Sequence, residues 1–303
     1  MELLLINIGN TFAQPGVWSG NAIELLPRIP TAELKPELLP AGMPIAAATV
    51  VPAIRKRFAD TDIWYLSAYN QRAGVDFTQV DASTLGADRV ANALALAELF
   101  PLPGISADCG TALTLEIVDA DGVFRGGAIA PGRAMMRRSL AAGTAQLPEI
   151  PFSTQLPEHP GSNTVETIRF GVDRGAVGLM RELLSASLPA CGKARRPTIV
   201  ATGGDAPFFA EALGIRTAPE DFTLRGILRA FLSRISSFAP EPGKPNDPGR
   251  SPRLPPWKYL LGNICKSLKQ NYINRNCLSR ASESGCGRHN TNKKDWLWKT
   301  AVY

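Results

Sequence analysis

An apolar strand running into a tight polar turn occurs twice in this chain, one hundred residues apart. Leu3 to Ile8 is a continuous apolar run apart from Asn7, and it breaks at once into Gly9-Asn10-Thr11. Gly104 to Ala107 leads in the same way into Asp108-Cys109-Gly110-Thr111-Ala112. Each copy reads as apolar strand, acidic or amide residue, any residue, glycine, Asn or Thr, then a second strand. A repeat on this scale implies two similar domains that face each other, each bringing one turn to the cleft between them. A glycine there lets backbone N–H groups approach an anion while Asn and Thr add donors, so either turn can cradle a phosphate chain. Taken singly, the first is equally a plain hairpin turn, and Asp108 is equally a residue capping its own bend.

Between and after these turns, strands and helices alternate, the pattern of an α/β protein. Residues 44–51 read as a buried strand and 51–60 as a helix. Residues 87–100 carry Val90, Leu94 and Ala97 at helical spacing and stop at Pro101 and Pro103. Gly126 to Gly132 reads as a Gly/Pro loop. A long helix follows over 164–187, then a strand over 197–201 ending in Thr202-Gly203-Gly204-Asp205, and a last helix over 224–236.

Seven prolines between 240 and 256 then end all periodicity, and a Pro-rich linker and basic tail, disordered by composition, are expected over residues 239–303. The tail decides how the charge is read. It holds 12 of the 33 Lys/Arg and 4 of the 27 Asp/Glu, so the net +6 of the chain hides a body that is acidic by two. A slightly acidic body fits a small-molecule enzyme, and the tail's scattered Lys and Arg form no nucleic-acid motif. The apolar opening is too short for a membrane span, and the five cysteines fit neither a zinc site nor a disulfide framework, so a cytoplasmic setting is expected.

A third segment, Gly86-Ala87-Asp88-Arg89, falls where a helix begins. Asp88 there is either a helix cap or a base that accepts a hydroxyl proton, and Arg89 can bind a carboxylate. Together they suit a substrate that is both alcohol and acid. With His159 and His289 the only histidines, no Ser/His or Cys/His constellation is available. There is also no Gly-x-x-x-x-Gly-Lys-Ser/Thr loop and no Gly-x-Gly-x-x-Gly fingerprint.

The ordered set Asn7-Ile8-Gly9-Asn10-Thr11, Gly86 to Arg89, Asp108 to Ala112, Gly126 to Gly132, Asn163-Thr164 leading into Ile168-Arg169-Phe170-Gly171, and Thr202 to Asp205 resembles the type III pantothenate kinase family over residues 1–238. The resemblance implies two ribonuclease H-like (actin-like ATPase) domains, residues 1–106 and 107–238, around a nucleotide cleft. It implies ATP-dependent phosphorylation of pantothenate to 4'-phosphopantothenate, the first step of coenzyme A biosynthesis. ATP would be held by Asn7, Ile8, Gly9, Asn10, Thr11, Phe12, Ala13 and Gln14, with Thr111 reaching it from the second domain. Pantothenate would be held by Gly86, Ala87, Asp88, Arg89 and Thr164, with Asp88 as catalytic base. Asp108 would ligate a monovalent cation (K+ or NH4+), Mg2+ would arrive with ATP, and the protein would be a homodimer that touches Thr164 to substrate across its interface.

The chain departs from the family pattern at four places. Asn7 stands where aspartate is usual, Gln14 where a basic residue often lies, and Gln79 and Ala82 where tyrosine and proline are usual. Asn7 keeps an oxygen but removes a negative charge from the phosphate site. A second reading therefore stands beside the first: a weak or inactive homologue that binds ligand and regulates, as the Bvg accessory factor name of some relatives suggests.

Overall fold

A computed structural model describes residues 2–71, 73–192 and 195–236, with the side chains of 235 and 236 excepted. The tail expected over 239–303 lies outside the described residues.

The first half is built on a hairpin of β1 (Leu3–Ile8) and β2 (Phe12–Trp18), joined through Leu3↔Trp18 to Ile8↔Ala13. Strands β3 (Ile23–Leu25) and β4 (Ile29–Pro30) both pair with β2. On the other side of β1, β5 (Ile45–Thr49) joins parallel, then helix α1 (Pro52–Arg57) leads to β6 (Ile63–Tyr65), parallel to β5. Crossing from parallel strand to parallel strand needs a connection over the sheet face, and α1 supplies it. Its Ile54 packs with Leu4, Ile6 and Ile8 in one core.

Helix α2 (Ala87–Leu99) then opens the second half. Strands β7 (Gly104–Cys109), β8 (Ala112–Val118) and β9 (Phe124–Pro131) form an antiparallel meander. Helices α3 (Arg133–Gly143) and α4 (Thr164–Ser187) precede β10 (Thr198–Thr202), which lies parallel to β7, and α5 (Ala206–Leu213) precedes β11 (Arg216–Thr217), parallel to β10. The last helix is α6 (Phe222–Ser236). The sheet orders are β3-β2-β1-β5-β6 and β9-β8-β7-β10-β11. One plan is therefore used twice, with β1 and β7 in equivalent places, matching the two similar halves that the repeated turn implied and the duplicated α/β fold that the family resemblance implied.

Strand periodicity sorts the second sheet's side chains. Ile105, Ala107 and Cys109 of β7 and Leu113, Leu115 and Ile117 of β8 form a core with Ala176, Val177 and Met180 of α4 and Phe209 of α5. The alternate residues Ser106, Asp108, Thr114 and Glu116 consequently face the other way, where α2 packs on both strands. Helix α6 returns to the first sheet, touching β1 and β5, and lies along α2. Gly226 makes that approach possible, because a Cβ there would collide with the Ala91 carbonyl. Gly226→Ala is expected to cost about 1–3 kcal/mol through this overpacking, read as a lower urea midpoint at unchanged slope.

One expectation is corrected. Residues 126–131 are strand, not loop. Gly127 opposes Glu116, and its missing side chain admits the Leu115 carbonyl and the Arg89 guanidinium. These glycines mark close approach within a strand.

Candidate active site

The repeated turns meet. Thr11 Oγ1 and Thr111 Oγ1 lie 3.0 Å apart across the mouth of a cavity of about 450 Å3. Each turn is closed by its own backbone, Gly9 N–H donating to Phe12 O and Gly110 N–H to Ala112 O, both at 3.0 Å. A third turn, Gly203-Gly204, packs onto the second. Gly203 has φ +89, and a Cβ there would strike Asp108 and the Cys109 carbonyl, so only glycine serves. Asp205 N–H then donates to Cys109 O at 2.8 Å. A cleft lined by three glycine-bearing turns offers backbone N–H groups and hydroxyls to an anion while keeping side-chain bulk away.

Of the expected nucleotide residues, Asn7, Gly9, Asn10, Thr11, Phe12, Gln14 and Thr111 line this cavity, as does Asp108, the expected cation ligand. Ile8 and Ala13 are buried in the core beside α1, which leaves them only backbone to offer. Asn7 Oδ1 is a buried acceptor with no hydrogen-bond partner among the described residues. An orphaned oxygen in a phosphate-sized cleft fits an outside partner such as a nucleotide-bound metal or its water.

Asp108 stands at the end of β7, opening on the cleft but otherwise enclosed by protein. Its Oδ2 accepts from Asn92 Nδ2 at 3.1 Å, and Asn92 Oδ1 accepts from Thr223 Oγ1 at 2.8 Å, so α2 and α6 both hold it. Burial pushes its carboxyl up to about 6; the Asn92 bond and the Arg28 charge lower it, and the Asp88 charge raises it. Its Oδ1 faces Gly110 and Gly203. A buried carboxylate oxygen among backbone carbonyls suits a hard cation, and such a charge would relieve the burial penalty. No group of three or more His, Cys, Asp or Glu among the described residues forms a metal cluster.

The α2 N-terminus does not line this cavity, but its Asp88 is near enough for its charge to act on Asp108. Asp88 Oδ1 accepts from Arg89 N–H at 2.8 Å, and burial raises its carboxyl above the ordinary value, partly offset by Arg89. Gly86 caps the helix where a Cβ would sit 2.6 Å from Asp88 Oδ1. Arg89 is already anchored: Nε donates to Glu116 Oε1 at 3.1 Å and Nη2 to Leu115 O at 2.9 Å. Nη1 is the remaining arm of the fork. Glu116, fully buried, also accepts from Ser106 Oγ at 2.9 Å and Thr114 Oγ1 at 2.8 Å, and burial pushes it up to about 7 despite the Arg89 charge.

Thr164 lies elsewhere. It begins α4 behind Asn163, whose side chain caps Glu166 N–H at 3.1 Å, and it lines a separate groove of about 790 Å3 between α3 and α4. Within one chain neither Thr164 nor the segment Gly86 to Arg89 lines the cavity that holds the nucleotide candidates. Asn92, Glu116, Thr223 and Arg28 are site neighbours that sequence reasoning did not find. Asn92 and Glu116 show only as polar residues on otherwise buried faces, and Thr223 and the exposed Arg28 carry no local signal.

The chain is similar to known proteins in sequence and in fold. The family model of type III pantothenate kinases matches residues 40–186. A type III pantothenate kinase of Kosmotoga olearia is 32% identical over 256 residues, covering 77% of this chain and 96% of the relative. One from Akkermansia muciniphila is 33% identical over 243 residues, covering 75% and 97%. Among solved structures, a conserved Baf family protein of Campylobacter jejuni, described as a transcriptional activator, superposes with a TM-score of 0.54 at 20% identity, covering 76% of this chain and 97% of that one. That last likeness concerns the fold alone.

Proposed function

The chain belongs to the type III pantothenate kinase family, and from that premise we propose that it phosphorylates the primary hydroxyl of pantothenate with ATP, giving 4'-phosphopantothenate for coenzyme A biosynthesis. The observation that carries this reading is the meeting of Thr11 with Thr111 over Asp108, with Asp88 close enough for its charge to act on Asp108. A phosphate-sized cleft and a desolvated carboxylate thus lie side by side.

Phosphoryl transfer asks for alignment and charge stabilisation, not for a covalent intermediate. The three turns hold the polyphosphate, Thr11 and Thr111 donating from opposite walls. Asp88 takes the hydroxyl proton, and burial, by raising its carboxyl, strengthens its hold on that proton. Arg89, fixed by Glu116 and Leu115 O, offers Nη1 to the substrate carboxylate. Asn7 would face the Mg2+ that arrives with ATP and Asp108 would hold a monovalent cation, and both ions would supply positive charge to the phosphates. The place of Thr164 in the α3–α4 groove supports a homodimer in which that residue serves the partner's substrate. No helix of the described residues is long and apolar enough to cross a membrane, and a cytoplasmic enzyme fits the reading.

The inactive-homologue alternative is not favoured, since Asp88, Arg89, Asp108 and Thr111 are all present. A coupled assay of ADP formation with Mg2+ and K+ tests the proposal, and turnover that depends on pantothenate is the expected result. ADP formation indifferent to pantothenate, or none at millimolar ATP, would overturn it. In the same assay Asn7→Asp is expected to lower the KM for Mg-ATP several-fold, because it adds a charge facing the metal; an unchanged KM would show that the orphaned Asn7 oxygen has no metal-facing role.

A further inference from the structure

Two arginines that do not line the cavity already have carboxylate partners. Arg133 is bound by Asp205 and Asp173, and Arg89 by Glu116. Arg28 is different. It lies between β3 and β4, on a backbone pinned by the Ala13↔Ile29 pair. Among the described residues no carboxylate comes within ion-pair distance of it, yet its guanidinium is not loose. Gln14 Nε2 donates to Pro15 O at 2.9 Å and to Leu26 O at 2.8 Å, which consumes both amide hydrogens and fixes the direction of Oε1. That oxygen accepts from Arg28 Nε at 2.9 Å. The side chain is thereby turned across the cleft, where Nη1 comes within 3.7 Å of the Cβ position of Gly204 on the opposite wall. Arg138 lines the same cavity from α3, but no described side chain holds its head group.

We infer that Arg28 is a contact for the nucleotide polyphosphate, reaching from the first sheet over the Gly203-Gly204 turn, and that Gln14 acts as its positioning residue. With Nε committed, the two terminal nitrogens form a planar fork aimed at the anion space, and a guanidinium stays charged at any working pH. The inference rests on the kinase reading only for the identity of the nucleotide; the arm itself asks for a phosphate.

The test is ATP binding by calorimetry and steady-state kinetics on the full chain, comparing wild type, Arg28→Ala, Arg28→Lys and Gln14→Ala. Arg28→Ala is expected to weaken ATP binding and raise its KM by about 10-fold or more, while the KM for pantothenate moves less than about twofold. Arg28→Lys recovers part of the loss, since a point charge lacks the fork, and Gln14→Ala costs about 3–10-fold through a loosened arm. Melting without nucleotide should match wild type for both Arg28 variants, whereas Gln14→Ala melts somewhat lower because two backbone carbonyls lose their donor. Unchanged ATP binding in Arg28→Ala would overturn the inference, as would equal losses for ATP and pantothenate. Wild type that binds ATP through Arg28 without phosphorylating pantothenate would leave the arm standing and remove the kinase reading instead.

Discussion

Asp88→Asn is expected to lower kcat by about 10²–10⁴-fold while ATP and pantothenate affinities change little, the signature of a lost general base. Asparagine keeps the shape and the acceptor oxygen that receives Arg89 N–H, so the α2 N-terminus should stay intact. What disappears is the ability to take a proton. The pH profile adds a second reading of the same residue. Burial raises the Asp88 carboxyl above its ordinary value of 3.8, so the base form is lost on acidification at a higher pH than for an exposed aspartate. The acid limb of kcat/KM should therefore lie above that value in wild type and vanish from the residual activity of the variant. Retained turnover with an unmoved limb would remove Asp88 from the base role.

The readable part of this site was the backbone, because backbone demands restrict residue type. Gly203 marks a turn that only a missing side chain allows, and the repeat of the Gly9 and Gly110 turns pointed to two similar sheets before any contact was known. Helix α4 was readable from its apolar period, and the structure adds its Asn163 cap. Strand β9 was not readable, since its glycines serve close packing and imitate a loop. Helix α3 was missed for a related reason: its two buried residues are Arg133 and Arg137, so the charged positions that suggest solvent are the ones facing inward. Polar partners are hardest of all. Glu116 finds Arg89 from 27 residues away and Asn92 finds Thr223 from 131, and no local pattern encodes either pair.

Arg133 carries the largest expected effect on stability. Its side chain is fully buried; Nε and Nη2 bind Asp205 at 2.6 and 2.5 Å, and Nη1 donates to Asp173 at 3.1 Å and to Ser153 O at 3.0 Å. The guanidinium is sandwiched between the rings of Phe208, 3.4 Å from its centroid, and Phe152, at 4.4 Å. Arg137 shares Asp173 at 2.6 Å, and even with two arginines burial holds that carboxyl above its ordinary range. Arg133→Met keeps the volume but leaves Asp205 without its partner and Asp173 with one arginine instead of two. Breaking such a buried network by removing one member costs about 3–5 kcal/mol, which in a unit of this size lowers Tm by roughly 10 °C. Because Asp205 N–H also closes the third turn onto Cys109 O, ATP affinity should fall along with stability. Adding Asp205→Asn to Arg133→Met should restore part of the lost stability, since it removes the stranded charge. A Tm within about 2 °C of wild type for Arg133→Met would mean that Arg137 and solvent compensate both carboxylates, and that the Thr202 to Asp205 turn is held by its backbone alone.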